Sequence, residues 1–338
     1  MAGRLVLGVL AVVALGGSAR SQTAEAFYKG KTITLIIGYS PGGTYDVYAR
    51  LAASLLPRYI PGNPTIVPRN MPGAGSITAG NHLYAQAPRD GLTIGMISQA
   101  SALKQVLRDP AVTFDMRQLN WIGRFTPAVE ATVVWHTSPV KTLADATQRE
   151  TVLAATNVGG TPDTMPTLMN RMAGTKFKII KGYAGTNGGT LAMERGEVEG
   201  THTTVENLLF SKPGWMREKK VSVLVQYAQE RHPALPDVPA MTEFGQTPED
   251  KQLLALFGST AEVGRGLLAP PSVPAERLAD LRAAFSAMVA DPAFKEEMDR
   301  RKAEFGPMSG AELQKRMDET LRLPPAVVER AIALSRSD

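Results

Sequence analysis

The first patterned segment is residues 32–38, TITLIIG, an almost unbroken apolar run of the kind a strand shows when both its faces are buried. The chain leaves this run through Ser40-Pro41-Gly42-Gly43-Thr44. The pattern then turns helical, with Val47, Leu51 and Leu55 four apart on one face and an acid, Asp46, near the start. Pro57 and Pro61-Gly62 end that helix. Residues 65–67 predict a short strand, 70–76 a loop, 76–86 a helix and 93–97 another strand. Strand, helix, strand, helix, strand is the order of an α/β fold with a parallel sheet.

The middle of the chain repeats the order. Residues 131–135, 151–155, 177–180 and 221–227 are strand-like, with helical segments at 141–149, 164–173 and 187–195. Pro166 stands close behind Pro162, which predicts that this second helix starts later than the glycines before it. Met165, Met169 and Met172 recur at helical spacing and are expected in the core. The tail is helical. Pro274 opens a helix carrying Leu278, Leu281, Phe285 and Val289; Ser309 and Glu312 form a capping box ahead of Leu313, Met317 and Leu321; Pro324-Pro325 open a last helix. A helical tail after two α/β units is expected to return over one of them.

The length, 338 residues, favours two domains. The first 26 residues read as a secretory signal peptide. Arg4 supplies the positive start, residues 5–15 the apolar core, and Ala19-Arg20-Ser21 or Ala24-Glu25-Ala26 the small residues before a cut at Gln22 or Phe27. The chain has no cysteine, which excludes disulfides, thiolate chemistry and a lipidated cysteine. An exported protein of this size without disulfides fits a bacterial periplasm. The net charge of +5 comes from scattered residues without interleaved aromatics, so no nucleic-acid footprint is present.

Catalytic signatures are missing. His82, His136, His202 and His232 are isolated, with no zinc-type spacing, no G-x-S-x-G and no P-loop. Gly73-Ala74-Gly75 lacks the third glycine of a dinucleotide fingerprint. Neither a cofactor nor a metal is expected. Instead, three Gly- and Thr-rich turns follow predicted strands: residues 40–44, residues 157–161 and residues 182–190. In open parallel sheets ligands bind beyond the carboxyl ends of strands, where helix N-termini offer free N–H groups to an anion. The same turns also serve as ordinary caps, and for one turn alone that account would suffice. Asp46 is read first as a cap or first-turn acid, and Tyr45 and Tyr183 either close over a ligand or cover the core.

Residues 27–97 resemble the substrate-binding receptors of tripartite tricarboxylate transporters, the Bug-type receptors. The residues carrying the likeness are the strand, PGGTYDVYAR, the next strand, NMPGAG, and APRDG before the third strand. GYAGTNGGTLAMERGEVEG, ERHPALPDVPAMTEFG and LLAPPSVPAERLADLRAAF extend it along the chain. The sequence departs from the family where Asn157-Val158 precede the second glycine pair, and at Thr203 and Thr204, where the family often has an acid. The resemblance implies a two-domain periplasmic binding protein of type II-like α/β architecture. Each domain would be a mainly parallel sheet flanked by helices, with the ligand in the cleft. Residues 27–124 with 232–338 would form one domain and 125–231 the other. It implies binding of a small organic acid through Ser40, Gly42, Gly43, Thr44, Tyr45, Asp46, Ser98, Gln99, Gly159, Gly160, Thr161, Tyr183, Gly185, Thr186, Thr203 and Thr204. It implies a monomer that hands the acid to a permease with a large and a small membrane subunit. A sensory role, presenting the bound acid to a membrane regulator, and an exported enzyme using the cleft are the alternatives.

Overall fold

The computed structural model describes residues 23–156, 159–183 and 185–335. The expected signal peptide lies outside them up to residue 22, and a cut before Phe27 would fall inside the first helix. The strands are β1 (Thr32–Ile37), β2 (Thr65–Asn70), β3 (Thr93–Met96), β4 (Asn120–Arg124), β5 (Glu130–Trp135), β6 (Thr151–Ala154), β7 (Phe177–Ile180), β8 (Gly200–Thr204), β9 (Val221–Tyr227), β10 (Gly266–Ala269) and β11 (Met308–Ser309). The helices are α1 (Ala24–Tyr28), α2 (Thr44–Leu55), α3 (Ile77–Ala85), α4 (Ser101–Val106), α5 (Leu143–Gln148), α6 (Thr161–Met172), α7 (Gly185–Glu194), α8 (Pro213–Arg217), α9 (Pro248–Val263), α10 (Ala275–Ala290), α11 (Pro292–Arg300), α12 (Gly310–Thr320) and α13 (Pro325–Ser335). No helix among the described residues is long and apolar enough to cross a membrane.

Two mixed sheets result, ordered β11-β4-β10-β3-β1-β2 and β7-β6-β8-β5-β9. The parallel part of each is the part the apolar runs predict: β1 lies between β2 and β3, and β6 between β7 and β8. The rest is antiparallel, because β4, β5, β9 and β10 carry the chain from one sheet to the other and back. β1 shows why its sequence is apolar throughout. Ile33, Leu35 and Ile37 face one core, with Tyr48, Leu51 and Phe285, whereas Ile36 faces the opposite one, with Leu83 and Trp121.

The helical face expected on α2 is rotated. Val47 is exposed, and the buried residues are Tyr45, Asp46, Tyr48, Ala49, Leu51 and Ala52. Alanines there bring the helix close to the sheet, which a Val47-centred stripe does not achieve. The methionine expectation holds: Met165 and Met169 are fully buried and Met172 packs beside them.

The packing moves the expected division of the chain. Leu253, Leu254, Leu256 and Phe257 of α9 pack with Val134, Leu224 and Tyr227 of the second sheet, with Leu103 and Val106 of α4 in the same cluster, and the chain returns to the first sheet at 264–265, ahead of β10. Val327 and Ala331 of α13 join this same core, whereas Leu313 and Met317 of α12 belong to the first sheet's. The chain therefore crosses a third time near 321–324. The first two crossings are hydrogen bonded to each other: Phe125 N to Arg265 O at 3.0 Å, Arg265 N to Thr126 O at 3.0 Å and Ala128 N to Ala261 O at 2.9 Å. Gly264 makes this possible. Its φ is +52°, and a Cβ there would stand 2.0 Å from the Thr126 carbonyl oxygen. Gly264→Ala is expected to cost at least about 3 kcal/mol in urea denaturation, from strain plus displacement of the paired crossing segment. A loss under about 1 kcal/mol would show that the crossing tolerates another geometry.

Candidate functional site

Two of the three turns have the same construction. In the first, Gly42 takes φ +86° and Gly43 caps α2 with extended backbone (φ −82°, ψ 170°). Thr44 is the first helical residue, and the Asp46 carboxylate accepts the Gly42 N–H at 3.0 Å. In the second, Gly159 takes φ +72° and Gly160 caps α6 (φ −75°, ψ 161°). Thr161 is the first helical residue, and Asp163 accepts the Gly159 N–H at 2.9 Å. Each is a Gly-Gly-Thr-x-Asp unit at the carboxyl end of a parallel strand, β1 or β6. The left-handed φ requires the first glycine. The second does not need to be glycine for its φ, and a Cβ added at Gly43 would stand in open space, 4.0 Å from its nearest neighbour. Neither cap residue has a side chain to satisfy the first N–H groups of its helix, which therefore point outward with a partial positive charge; in α6 Pro162 has no N–H and the Asp163 N–H bonds Gly160 O at 3.0 Å, so fewer are left there than in α2.

α6 starts directly at this turn, earlier than the prolines predict. Pro162 lies in the first turn, where a backbone N–H has no intrahelical acceptor, and Pro166 forgoes one hydrogen bond inside the helix. The third turn is built differently. Gly185 and Thr186 begin α7, and their side chains, with Ala184, Asn157 and Val158, lie outside what the structure describes. Gly189 serves packing, since a Cβ there would meet Thr201 Oγ1 at 2.8 Å.

Asp46 holds the first turn together. Its second oxygen accepts Asn70 Nδ2 at 2.8 Å, and Arg50 Nε donates to the first at 2.8 Å. Asn70, at the end of β2, also donates to the Tyr39 carbonyl. The Arg50 hydrogen bond, helped by Gly42 and Asn70 and opposed by burial, lowers its pKa from 3.8 to about 2.

Behind the first turn, Tyr39 stacks on Tyr45 at 4.3 Å, and the Arg265 guanidinium lies over the Tyr45 ring, 4.2 Å from its centroid. Arg265 is 4% exposed. Its Nη1 donates to Gln99 Oε1 at 3.0 Å, its Nη2 is 3.6 Å from Glu206, and its Nε has no hydrogen-bond partner among the described residues. Burial opposes its charge, but Tyr45, Glu206, Tyr39 and Glu130 around it raise its pKa further. Burial raises the Glu206 pKa, and Arg265 works against that shift. Gln99 spans this floor: Nε2 donates to Ala128 O at 3.1 Å and its backbone N–H to Tyr45 Oη at 2.9 Å. From the second sheet, Glu130 accepts the Thr161 hydroxyl at 3.0 Å and lies 3.3 Å from His202 Nε2.

The expected binding residues thus divide. Ser40, Gly42, Gly43 and Gly159 are exposed, Gly160, Thr44 and Thr161 partly so, and these form the two turns. Tyr45 and Gln99 belong to the buried floor. Ser98 is buried, taking its backbone partner from Ser76 Oγ and accepting the Ala100 N–H. Thr203 and Thr204 accept from the side chain and backbone N–H of Asn207, the first residue of the π-helical turn at 207–211. Tyr183 is half-buried against the second sheet's outer core. Sequence reasoning missed Tyr39, Glu130, His202, Glu206 and Arg265. A charged residue set between two glycines in an apolar run, as Arg265 is, was the available signal. Among the described residues no group of three His, Cys, Asp or Glu side chains is placed to hold a metal. A cavity of about 350 Å³ lies elsewhere, between α9 and α12.

A family model described as "Tripartite tricarboxylate transporter family receptor" matches residues 49–331. The chain belongs to this family. Among its relatives, the "UPF0065 protein in gbd 5'region" of Cupriavidus necator is 26% identical over 335 residues, covering 95% of this chain and 94% of the relative. The solved structure titled "periplasmic binding protein BugD" has a TM-score of 0.67 at 19% identity, covering 92% of this chain and 100% of its own. MatC (Rpa3494) from Rhodopseudomonas palustris, solved with bound malate, has a TM-score of 0.66 at 21% identity, covering 89% and 99%. R. palustris Rpa4515, solved with adipate, has a TM-score of 0.66 at 20% identity, covering 90% and 97%. The chain has their fold, a pair of mixed sheets flanked by helices.

The Asp46 geometry sets a pH dependence. A carboxylate whose pKa is lowered on folding stabilises the protein above about pH 4, and that stabilisation is lost as the pH falls toward 2. Asp46→Asn is expected to be about 2 kcal/mol less stable than wild type at pH 7. The gap should narrow below pH 4 in urea titrations; a gap independent of pH would contradict this role.

Proposed function

We propose that this family member is a periplasmic solute-binding receptor that captures a small organic acid between its two sheets. The observation that carries the reading is the repeated Gly-Gly-Thr-x-Asp turn. Each sheet presents one helix N-terminus with unsatisfied N–H groups, and a glycine at the cap leaves room for an anion to approach them. The acids named for MatC and Rpa4515, malate and adipate, fit such a site in kind. Tyr45, Gln99 and Arg265 are buried at the floor, so a ligand enters by a parting of the lobes about the paired crossings. The bound, closed form is then the one delivered to a permease with a large and a small membrane subunit. The contributing residues are Ser40, Gly42, Gly43, Thr44, Gly159, Gly160 and Thr161 at the turns, with Tyr45 and Gln99 behind them.

The test is a thermal-shift screen of the mature protein, unfolded and refolded to strip carried-over ligand, against mono-, di- and tricarboxylates, aromatic acids and amino acids. A ligand at a hundred times its dissociation constant adds about 2.7 kcal/mol, a rise of several degrees for a chain of this size. Gly43→Val is expected to abolish the shift while leaving the unliganded melting temperature within about 2 °C, because the added side chain points into open space. Unchanged affinity in that variant would refute the placement of the acid at the first turn.

A further inference from the structure

We propose that His232 and Glu304 form a clasp between the two lobes that holds the empty receptor toward its closed form. The consequence for affinity rests on the receptor reading above; the clasp itself does not.

Glu304 belongs to the first lobe. It lies between α11 and β11, and its neighbours Ala303 and Phe305 pack on the core of the first sheet. Its carbonyl accepts the hydroxyl of Tyr48, a buried residue of α2, at 2.7 Å. His232 belongs to the second lobe. It follows β9, and its N–H donates to Gln226 Oε1 of that strand at 2.8 Å. Gln226 is fully buried, and its Nε2 donates to the carbonyls of Leu235 and Val238 at 2.9 and 2.7 Å, which fixes the segment 232–238 on the second sheet. Leu235 packs there with Val205 and Ala228. Between these two anchored segments His232 Nε2 stands 2.9 Å from Glu304 Oε1, with the side chains 13% and 14% exposed.

The second ring nitrogen fixes the tautomer. His232 Nδ1 accepts the Ala234 N–H at 3.1 Å, so the ring proton is on Nε2, which donates it to the Glu304 carboxylate. Both nitrogens are engaged, and the ring cannot turn without losing a bond. A parting of the lobes by about 1 Å at this point takes a 2.9 Å contact beyond hydrogen-bond range. The bond is therefore made in the closed arrangement alone, and an interaction made in one state shifts the population toward that state. A second effect has the same sign. Glu206, on the second lobe, lies within electrostatic range of Glu304. Without the His232 donor, the two carboxylates face each other across the joint as like charges.

The tests are His232→Asn and Glu304→Ala. Asparagine keeps an oxygen for the Ala234 N–H two residues on but is too short to reach Glu304, and alanine keeps the carbonyl that takes the Tyr48 hydroxyl. X-ray scattering of the refolded, ligand-free mature protein is expected to give a larger radius of gyration for each variant than for wild type. Calorimetric titration with the acid that gives the largest thermal shift is expected to show at least threefold weaker binding in each. The double variant should lose no more, because both changes remove one interaction. Unchanged radii, affinities within threefold of wild type, or losses that multiply in the double variant overturn the clasp and leave the receptor reading standing. Folded wild type that binds none of the acids overturns the receptor reading, and the scattering comparison then decides the clasp alone. Should circular dichroism show one variant to be unfolded, the other decides.

Discussion

A helix cannot satisfy its own first N–H groups, and in this molecule the surrounding architecture leaves that deficit open at the ends of two strands. In both glycine turns an aspartate at the third helical position reaches back to the N–H of the first glycine. That bond fixes the turn without occupying the N–H groups that follow. A serine or asparagine at the cap would have closed the site with its own side chain. Glycine at the cap keeps it open. The negative charge of each aspartate also favours the helix start on which it sits. Arg50 beside Asp46, and Lys181 3.4 Å from Asp163, hold those charges in place.

The rest of the fold positions these turns. β1 and β6 are inner strands, and their apolar side chains pack on both faces, so the point where each turn begins is set by core packing. The crossings bring the remaining chemistry to the floor between the turns. Glu130 follows the first crossing directly, and Arg265 is part of the second. A buried guanidinium, the buried Glu206 carboxylate, the part-buried Glu130 carboxylate and the stacked tyrosines thus lie beside the segments about which the lobes would move. Interactions that span this floor, such as Arg265 with both Gln99 and Glu206, couple the groups behind the first turn to the relative placement of the sheets.

Much of this is legible along the chain. The apolar runs mark β1, β3, β6 and β9 because a doubly buried strand has no polar face, and Gly42-Gly43-Thr44 marks where α2 starts, whereas Pro162 and Pro166 hide the start of α6. The antiparallel strands β4 and β10 are harder to read: they are short, and Gly123 and Gly266 interrupt their apolar pattern where Phe285 and Trp121 pack against the backbone. α9 carries a visible signal, Thr247-Pro248-Glu249-Asp250, a capping box with proline in the first turn. Its assignment to the second core is not visible, since that depends on which sheet its leucines meet. The floor is the least legible part. Arg265 and Gln99 are 166 positions apart, and only the crossing of the chain brings them together.

The most direct test of the central claim follows the backbone amides themselves. In a ¹⁵N-labelled sample titrated with the acid that gives the largest thermal shift, the amide resonances of Gly43, Thr44, Gly160 and Thr161 should move together, with one common dissociation constant. Shifts confined to the cavity between α9 and α12, with these four unmoved at saturation, would contradict an anion site built from paired helix N-termini.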